Sequence, residues 1–363
     1  MILHADQLPP PRKILVRATN WVGDAVLSLP ALEALHRRFP AAEIVVLAKP
    51  SVSELYWQHP ALHRVKVYDP KKDHRGWQGF RKLTAELRSE EFDLAVLFQN
   101  AFHAAWMAYR ARIPVRVGYA TDGRGFWLTH PIPVPPPTHY LHQSYYYWQL
   151  LYRAGLAEKP SLIEQIHLSL RPSEKNWAAR YLKGLGLGGP RFLVGLSPGA
   201  SFGPAKRWLP SRFADLADRL IGALHADVLI LGLPAERPLA EAIAQAMRHT
   251  PIILAGETSL RQWMALLSQL SLLMSNDSGS MHLAAALGVP VVALFGSTDA
   301  FATGPLGAHA RVLQHHVACS PCGHRVCPID FRCMNGLTVE SAHRAALQLV
   351  KELQITHHRE WES

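Results

Sequence analysis

The chain has 363 residues, of which 48% are hydrophobic and 18% charged. This balance excludes a largely disordered protein and suits two globular domains of about 100–200 residues each. No apolar run reaches the roughly 18 residues of a membrane span, and the opening stretch MILHADQLPPPRK lacks the apolar core of a signal peptide, so we expect a cytoplasmic protein. Lysine and arginine outnumber aspartate and glutamate by 38 to 28, which favours an anionic partner: a nucleotide, a nucleic acid or an anionic lipid surface.

The first half of the chain alternates apolar, β-branched runs with stretches of helical periodicity, which is typical of a parallel sheet covered by helices. Strands are predicted over 14–17, 44–48, 65–68, 94–98 and 115–118. A proline cluster, HPIPVPPPTHY, then interrupts the pattern, and an aromatic helix is predicted over 140–154, followed by a linker over 157–172.

The alternation restarts after the linker, with strands predicted over 192–196, 228–231, 272–275 and 291–295. We therefore predict an α/β protein of two doubly wound, Rossmann-like domains, 1–170 and 171–340. A final helix from about residue 339 to 353 is expected to pack back on the first domain. Two such domains facing each other make a cleft lined by the carboxyl ends of both sheets, where ligands of open α/β folds bind.

The loop after the first strand, in KILVRATNWVGDAVLSLPALEALHRRF, lacks the GxGxxG phosphate cradle of dinucleotide-binding folds. It carries Asn20, Trp21, Gly23 and the carboxylate of Asp24 instead. Asp24 is either a catalytic base or merely a helix N-cap, and Trp21 either shapes a pocket or packs. A nicotinamide-dependent oxidoreductase is disfavoured because no strand leads into that glycine motif.

The strongest binding signal is the turn in LLMSNDSGSMHLAAALGVPVVALFGSTD, where a buried strand leads into a helix. Gly279 allows close backbone approach, the first-turn amides sit at the positive end of the helix dipole, and Ser278 and Ser280 add hydroxyls. A diphosphate is therefore expected here, with His282 one turn further on. The alternative is that Asp277 and Ser278 only cap the helix.

Two further loops of the second half carry polar residues after predicted strands. Ser197 is followed by Lys206 and Arg207 in LSPGASFGPAKRWLP, and these cations can neutralise a leaving diphosphate; the alternative is a pair of solvated charges. Glu236, in LILGLPAERPLAE, offers a carboxylate to the hydroxyls of a ribose.

All four cysteines lie in CSPCGHRVCPIDFRCM, as Cys319, Cys322, Cys327 and Cys333. In a cytosolic protein this run favours zinc or an iron–sulfur cluster over disulfides, although its spacing is shorter than that of a standard two-knuckle site. A metal-free or disulfide-containing loop is the alternative. Additional ligands are available from nearby histidines: His315, His316 and His324.

The segments TNWVGDAVLSLPAL, PGASFGPAKRW, NDSGSMHLAAALGVPVVALFG and the cysteine run together resemble the ADP-heptose:lipopolysaccharide heptosyltransferases over nearly the whole chain. The resemblance is greatest to the heptosyltransferase II group. It implies the GT-B architecture, with the donor mainly on the C-terminal domain and the acceptor on the N-terminal one. It also implies an inverting transfer from ADP-L-glycero-D-manno-heptose that requires no metal, so that zinc on the cysteines would be structural.

The resemblance also assigns roles to individual residues. Asp24 matches the catalytic base and Lys206 the phosphate-binding lysine, while Glu236 matches the ribose carboxylate and Thr258 falls near the adenine. Asn20, Trp21 and Gly23 are then expected to shape the acceptor pocket. The donor set is completed by Ser197, Arg207, Asp277, Ser278, Gly279 and His282.

The implied acceptor is an anionic heptosyl–Kdo–lipid A at the inner-leaflet surface, which places the enzyme peripherally on the cytoplasmic face of the inner membrane. Basic residues of the first domain are candidates for contacting it, although ordinary solvated charges are the alternative: Lys71, Lys72, Arg75, Arg81, Lys82, Arg110, Arg112, Arg116 and Arg124. No helix-turn-helix or RNP motif supports a nucleic-acid partner. The rival hypotheses are heptosyltransferase I, another heptosyltransferase, or a non-catalytic nucleotide-sugar-binding protein on the same scaffold.

Overall fold

The computed structural model describes residues 9–135, 141–187 and 191–361, and side chains as far as residue 353. The chain divides into two compact units, Met1–Ile163 and Glu164–Ser363. The division falls inside the stretch 157–172 that the sequence analysis interprets as a linker. None of the helices in the described ranges has both the length and the apolar character that a membrane span requires.

The first unit contains a six-stranded parallel sheet in the order β3-β2-β1-β4-β5-β6, which is the Rossmann order. Apolar runs form its central strands because parallel strands are buried on both faces. The strands are β1 (Lys13–Arg17), β2 (Glu43–Ala48), β3 (Arg64–Val67), β4 (Leu94–Leu97), β5 (Val115–Tyr119) and β6 (His130–Ile132).

Helices cover both faces of this sheet. They are α1 (Val22–Leu27), α2 (Leu29–Arg38), α3 (Pro50–Ser53), α4 (Gly76–Ser89), α5 (Phe102–Arg110) and α6 (Gln143–Arg153). Buried side chains of α4 and α5 share one core with β1, β2 and β4, whereas α6 packs against α1 and α2. The predicted helix over 140–154 is thus α6, beginning at residue 143.

The second unit repeats the same topology, with a six-stranded parallel sheet in the order β12-β11-β10-β7-β8-β9. Its strands are β7 (Leu193–Ser197), β8 (Asp227–Ile230), β9 (Ile252–Ile253), β10 (Leu272–Asn276), β11 (Val291–Phe295) and β12 (Ala310–Gln314). Its helices are α7 (Pro172–Gly184), α8 (Pro210–Leu224), α9 (Arg237–Ala246), α10 (Leu260–Leu267), α11 (Gly279–Ala286), α12 (Ala300–Thr303), α13 (Arg332–Asn335) and α14 (Val339–Trp361). The prediction of two Rossmann-like α/β domains is confirmed.

The final helix, α14, is longer than the predicted 339–353. Its buried side chains Ala342, Ala346, Leu349 and Val350 belong to the core of the second unit, where the helix packs against α8. Side chains from residue 354 onward lie outside the described part, so the expected return of this helix to the first domain stays a prediction.

Candidate functional site

The donor residues predicted from the sequence gather around β7 and β10, two neighbouring strands of the second sheet. In the order β12-β11-β10-β7-β8-β9 the chain moves outward from β7 in one direction and from β10 in the other. Between such strands, at their carboxyl ends, the connections diverge and leave the crevice in which open α/β folds bind ligands. Ser197 ends β7, and Asp277 follows β10 directly.

An ion pair between Lys206 and Asp277 lies at this point. The Lys206 Nζ is 2.6 Å from the Asp277 Oδ2, and the two side chains are only 12% and 5% exposed. The hydroxyl of Thr298, in the loop after β11, donates to the same carboxylate oxygen. Lys206 ends a short 3₁₀ turn, Pro204–Lys206. The loop after β7 is therefore joined to the turn after β10 by a largely buried charge pair.

The amino terminus of α11 follows that turn. Ser278 is the N-cap residue, but its side chain makes no capping hydrogen bond; its hydroxyl lies 3.2 Å from that of Ser275. Asp277 is engaged with Lys206, so the alternative in which Asp277 and Ser278 only cap the helix is wrong. Gly279 is the first residue of the helix. The backbone N–H groups in the first turn of α11 thus have no side-chain cap. Such N–H groups at a helix N-terminus can bind an anion.

Hydroxyl and amide side chains tie β7, β10 and α11 together. The Ser197 and Ser280 hydroxyl oxygens are 2.7 Å apart, and His282 is buried one turn along α11. Buried Asn276 accepts a hydrogen bond from the backbone N–H of Trp208 at 3.0 Å and donates to the Pro198 carbonyl at 2.6 Å. The sequence analysis missed Asn276, although a polar residue ending a buried apolar strand is a usable signal.

Glu236 lies against the loop after β7. A Cβ added to Gly199 would come within 1.9 Å of the Glu236 Oε1, so the carboxylate occupies the space that any larger residue at 199 would need. The other carboxylate oxygen accepts the Leu233 backbone N–H at 2.8 Å. This contact holds Glu236 over the carboxyl end of β7, in the loop region that also carries Lys206.

Thr258 and Arg207 flank this arrangement. Thr258 is half-buried just before Ser259, the N-cap of α10. Its loop touches the Glu236 turn through Gly256, whose N–H donates to the Gly232 carbonyl at 3.0 Å. Arg207 follows Lys206 directly, and its guanidinium donates to the Ala200 carbonyl at 3.3 Å. Both residues thus lie on loops that reach the same sheet edge.

The cysteine segment contacts the loops that carry the predicted donor-binding residues. The sequence analysis did not predict this contact. The N–H groups of Cys322 and Gly323 donate to the Ser297 carbonyl at 3.0 and 2.8 Å, one residue before Thr298. On the other side, the Ala205 N–H donates to the Arg325 carbonyl at 3.0 Å. The segment therefore buttresses both the Lys206 turn and the loop that holds Asp277.

The four cysteine side chains line one cavity of about 240 Å³, together with His324. Burial raises the pKa of the Cys333 thiol. His315 packs instead against Gly336. Within the described residues, no three side chains of histidine, cysteine, aspartate or glutamate converge closely enough to hold a metal ion. The structural metal therefore stays a prediction.

In the first unit, Asp24 lies in the first turn of α1, as the third residue of the helix. The N-cap is Trp21, which makes no side-chain capping bond, so the interpretation of Asp24 as the N-cap is wrong. The Asp24 carboxylate interacts with the phenol of Tyr147, a buried residue of α6. Burial first, and then this carboxylate, raise the pKa of Tyr147 well above its ordinary value. Tyr147 therefore keeps its phenol proton beside Asp24.

The loop before α1 is held by Arg17, the buried last residue of β1. Its guanidinium donates to the Ala18 and Leu47 carbonyls at 2.5 and 3.2 Å and to the Asn20 Oδ1 at 2.9 Å. Burial lowers the pKa of Arg17 to about 10. Asn20 is thus oriented by a buried cation, whereas the Trp21 side chain is 53% exposed and Gly23 lies within α1. Such exposure favours the pocket interpretation of Trp21 over packing.

Two of the basic residues considered for the acceptor have structural roles. Arg124 is fully buried and donates to the Gln99 and Tyr119 carbonyls. Arg116 is half-buried and donates to the Trp127 and Ile113 carbonyls at 2.8 and 2.6 Å. A guanidinium that is hydrogen-bonded to backbone carbonyls in the interior is not available to bind an acceptor phosphate. The remaining candidates are exposed: Lys71, Lys72, Arg75, Arg81, Lys82, Arg110 and Arg112.

Comparison with known proteins gives a consistent result. The family model described as glycosyltransferase family 9 (heptosyltransferase) matches residues 80–331. The chain is 31% identical over 318 residues to lipopolysaccharide heptosyltransferase 2 of Escherichia coli K12, covering 83% of this chain and 88% of that protein. It is 29% identical over 313 residues to lipooligosaccharide heptosyltransferase 2 of Haemophilus influenzae, with the same coverage. The solved structure of E. coli ADP-heptose lps heptosyltransferase II superposes with a TM-score of 0.80 at 28% identity, covering 94% of this chain and 99% of that one.

Proposed function

Because the chain belongs to glycosyltransferase family 9, the heptosyltransferases, we propose that it moves heptose from ADP-L-glycero-D-manno-heptose to the heptosyl–Kdo–lipid A inner core of lipopolysaccharide. It is a glycosyltransferase with the GT-B architecture of its solved relative. The observation that carries the donor assignment is the buried Lys206–Asp277 pair at the switch point of the second sheet.

On the donor side, the α11 amides and the Lys206 ammonium are proposed to bind the diphosphate of the ADP-sugar. A lysine ammonium has three donors, so its bond to Asp277 leaves two for phosphate oxygens. Asp277 and Thr298 would keep that ammonium in place before the ligand arrives. Glu236, held beside Gly199, is proposed to bind the ribose hydroxyls, with Thr258 towards the adenine.

On the acceptor side, Asp24 is proposed as the general base. A sugar hydroxyl becomes an effective nucleophile when its proton is removed as it attacks. The acceptor oxygen forms a bond to the anomeric carbon from the face opposite the diphosphate, the bond to ADP breaks, and the acceptor proton passes to the Asp24 carboxylate. This displacement inverts the anomeric centre. Exposed Trp21 and oriented Asn20 are proposed to line the acceptor pocket.

The leaving ADP carries negative charge that has to be stabilised. Lys206, Arg207 and the positive end of the α11 dipole supply that stabilisation in this proposal, so the transfer step is assigned no metal ion. The cysteine segment is given a supporting role, because its backbone holds the loops on both sides of Lys206. Work at the cytoplasmic face of the inner membrane follows from the lipid-linked acceptor.

The test is a transfer assay with ADP-heptose and two truncated acceptors, Kdo–lipid A with and without the first heptose. We expect transfer only to the acceptor that already carries heptose, and Asp24→Asn should lower turnover by roughly 10²–10⁴ while ADP affinity is retained. Glu33→Gln, which removes a carboxylate on the neighbouring α2, is the matched control and should keep parental turnover.

Three results would contradict parts of this assignment. Transfer to the acceptor without heptose would identify a heptosyltransferase I activity. Parental turnover in Asp24→Asn would place the base on another residue. Binding of ADP-heptose without transfer to either acceptor would favour the non-catalytic alternative.

A further inference from the structure

Helix α5 presents a row of aromatic side chains along one face. Phe102, Trp106 and Tyr109 are spaced by four and three residues, which places them on the same side of a helix. Phe102 and Tyr109 are each 44% exposed. The core on which α5 packs is built from other residues of the helix, including Ala105, Met107 and Ala108, and Trp106 packs against it partly buried. The exposed rings of Phe102 and Tyr109 are therefore additional to what the fold needs from this helix.

Aromatic residues of two neighbouring elements extend this row on both sides. Trp77, at the start of α4, stacks on Trp106 with ring centres 5.6 Å apart. On the other side, Trp127 lies 4.7 Å from the Tyr109 ring and 5.2 Å from the Phe126 ring. The result is a continuous surface, called here the aromatic band: Trp77, Phe102, Trp106, Tyr109, Phe126 and Trp127.

The exposure of the aromatic band is unusual for a globular surface. Trp77 is 56% exposed and Phe126 86% exposed, although both rings contact other aromatic rings of the band. Single exposed apolar residues are common, but contiguous exposed patches mark interaction sites. Tryptophan and tyrosine are the side chains that prefer the boundary between water and lipid, because each combines an apolar body with a polar group.

The surroundings of the aromatic band are basic. Residues 71–82 contain Lys71, Lys72, Arg75, Arg81 and Lys82 against the single carboxylate of Asp73. These five cations are exposed. At the far end of α5, exposed Arg110 and Arg112 follow Tyr109. A bilayer with acidic headgroups is anionic at its surface and apolar in its interior. Positive charges around exposed aromatic rings complement such a bilayer.

The aromatic band begins at the sheet edge that carries the proposed base. Tyr68, which follows β3, stacks on His103 of α5 and contacts His74 before α4, both at 5.8 Å between ring centres. The guanidinium of Arg17, at the end of β1, lies 5.6 Å from the same Tyr68 ring. The starts of α4 and α5 therefore adjoin the end of β1, from which the loop to Asp24 departs.

We propose that the aromatic band and its basic rim form the surface by which this protein docks on an anionic lipid bilayer. Docking there would keep the Asp24 edge of the first unit close to headgroups. This role rests on the proposed function only in that the acceptor is a membrane lipid. The docking itself needs neither donor nor acceptor.

The experiment is co-sedimentation of the full chain with vesicles of phosphatidylcholine alone or mixed with phosphatidylglycerol. We expect binding to the mixed vesicles that weakens with added salt. The double variant Trp77→Gln/Phe126→Gln should partition about tenfold more weakly, because it removes apolar area from the contact. Tyr152→Gln, which changes an aromatic residue of α6 that is 43% exposed, is the matched control and should bind like the parent.

A charge variant and two functional readouts separate docking from folding and from catalysis. Lys71→Gln/Lys72→Gln leaves the aromatic band intact and should also weaken binding to mixed vesicles. Both double variants should keep parental ADP affinity, and Trp77→Gln/Phe126→Gln should also keep parental transfer to a soluble, delipidated acceptor. Vesicle binding by a parent chain that transfers no heptose would leave the docking surface standing and refute the proposed function alone.

Two results would overturn the docking proposal. One is parental vesicle binding by Trp77→Gln/Phe126→Gln. The other is a parent chain that ignores mixed vesicles but elutes as a dimer that this double variant dissociates, because the aromatic band would then be an interface between two copies of the chain.

Discussion

The Lys206–Asp277 pair allows the structural and the binding roles of one lysine to be separated. Both side chains are largely buried, at 12% and 5% exposure. Lys206→Met keeps the apolar length of the side chain but leaves the Asp277 carboxylate with the Thr298 hydroxyl as its described partner. Breaking a buried pair in this way costs about 3–5 kcal/mol, since a desolvated charge stays uncompensated. The double variant Lys206→Met/Asp277→Leu removes both charges and should recover most of that loss.

The same two variants should behave differently towards ADP. A charge-assisted hydrogen bond contributes about 1.5–3 kcal/mol, so loss of the ammonium should raise the dissociation constant of ADP by roughly 10- to 150-fold. This loss should persist in the double variant, because restoring the stability of the loop does not restore a cation. If the lysine has both roles, the double variant should therefore recover its stability but not its affinity for ADP.

The assays are urea unfolding, following the transition that ADP stabilises in the parent chain, and calorimetric titration with ADP. Arg219→Met is the matched control, since Arg219 pairs with Asp215 at 41% and 46% exposure and such exposed pairs contribute at most about 1 kcal/mol. An unchanged urea midpoint in Lys206→Met would refute the energetic argument. Recovery of ADP affinity in the double variant would show that the lysine acts only by holding the loop.

Three further predictions address the other parts of the site. Tyr147→Phe removes the phenol that interacts with the proposed base Asp24, so the acidic limb of the pH–rate profile should move to higher pH while ADP affinity stays unchanged; an unmoved limb would make Tyr147 a packing residue only. Gly199→Ala should weaken ADP-heptose binding, because its Cβ would fall 1.9 Å from the Glu236 Oε1, and it should add little in a Glu236→Ala background; equal losses in both backgrounds would contradict this contact. Treatment with a chelator should leave transfer intact, whereas immediate loss of turnover with an unchanged circular dichroism spectrum would indicate a catalytic metal.

The central strands were predictable from the sequence because burial on both faces makes them short apolar runs. β11 has the predicted bounds, and the other predicted strands differ by one residue at one end or at both. The strands that were missed, β6, β9 and β12, are all edge strands of the two sheets. β6 contains Pro131, which an edge strand tolerates because it needs no inward hydrogen bond from that residue. β9 has only two residues, and β12 is partly exposed.

The residues of the site were predictable where they follow a strand on the chain, as Asp24, Ser197 and Asp277 do. Their partners were not, because the fold brings them from distant elements. Tyr147 comes from the far end of the first unit, and Thr298 from the loop after the next strand. For Arg124 the sequence was misleading in another way. A basic residue in a loop is expected at the surface, but the Arg124 side chain is buried.

In both units, side chains from other elements hold the group that is proposed to act on the substrate. In the second unit Asp277, itself bonded by the Thr298 hydroxyl, pairs with the Lys206 ammonium. In the first unit Tyr147 interacts with the Asp24 carboxylate, and Arg17 orients Asn20. A lysine ammonium has three donors, so the pair with Asp277 leaves donors on Lys206 for a ligand. Preorganised groups of this kind lose little conformational entropy on binding and need little reorganisation as charge develops. Substitution of a partner should therefore lower turnover even where the group that performs the chemistry remains.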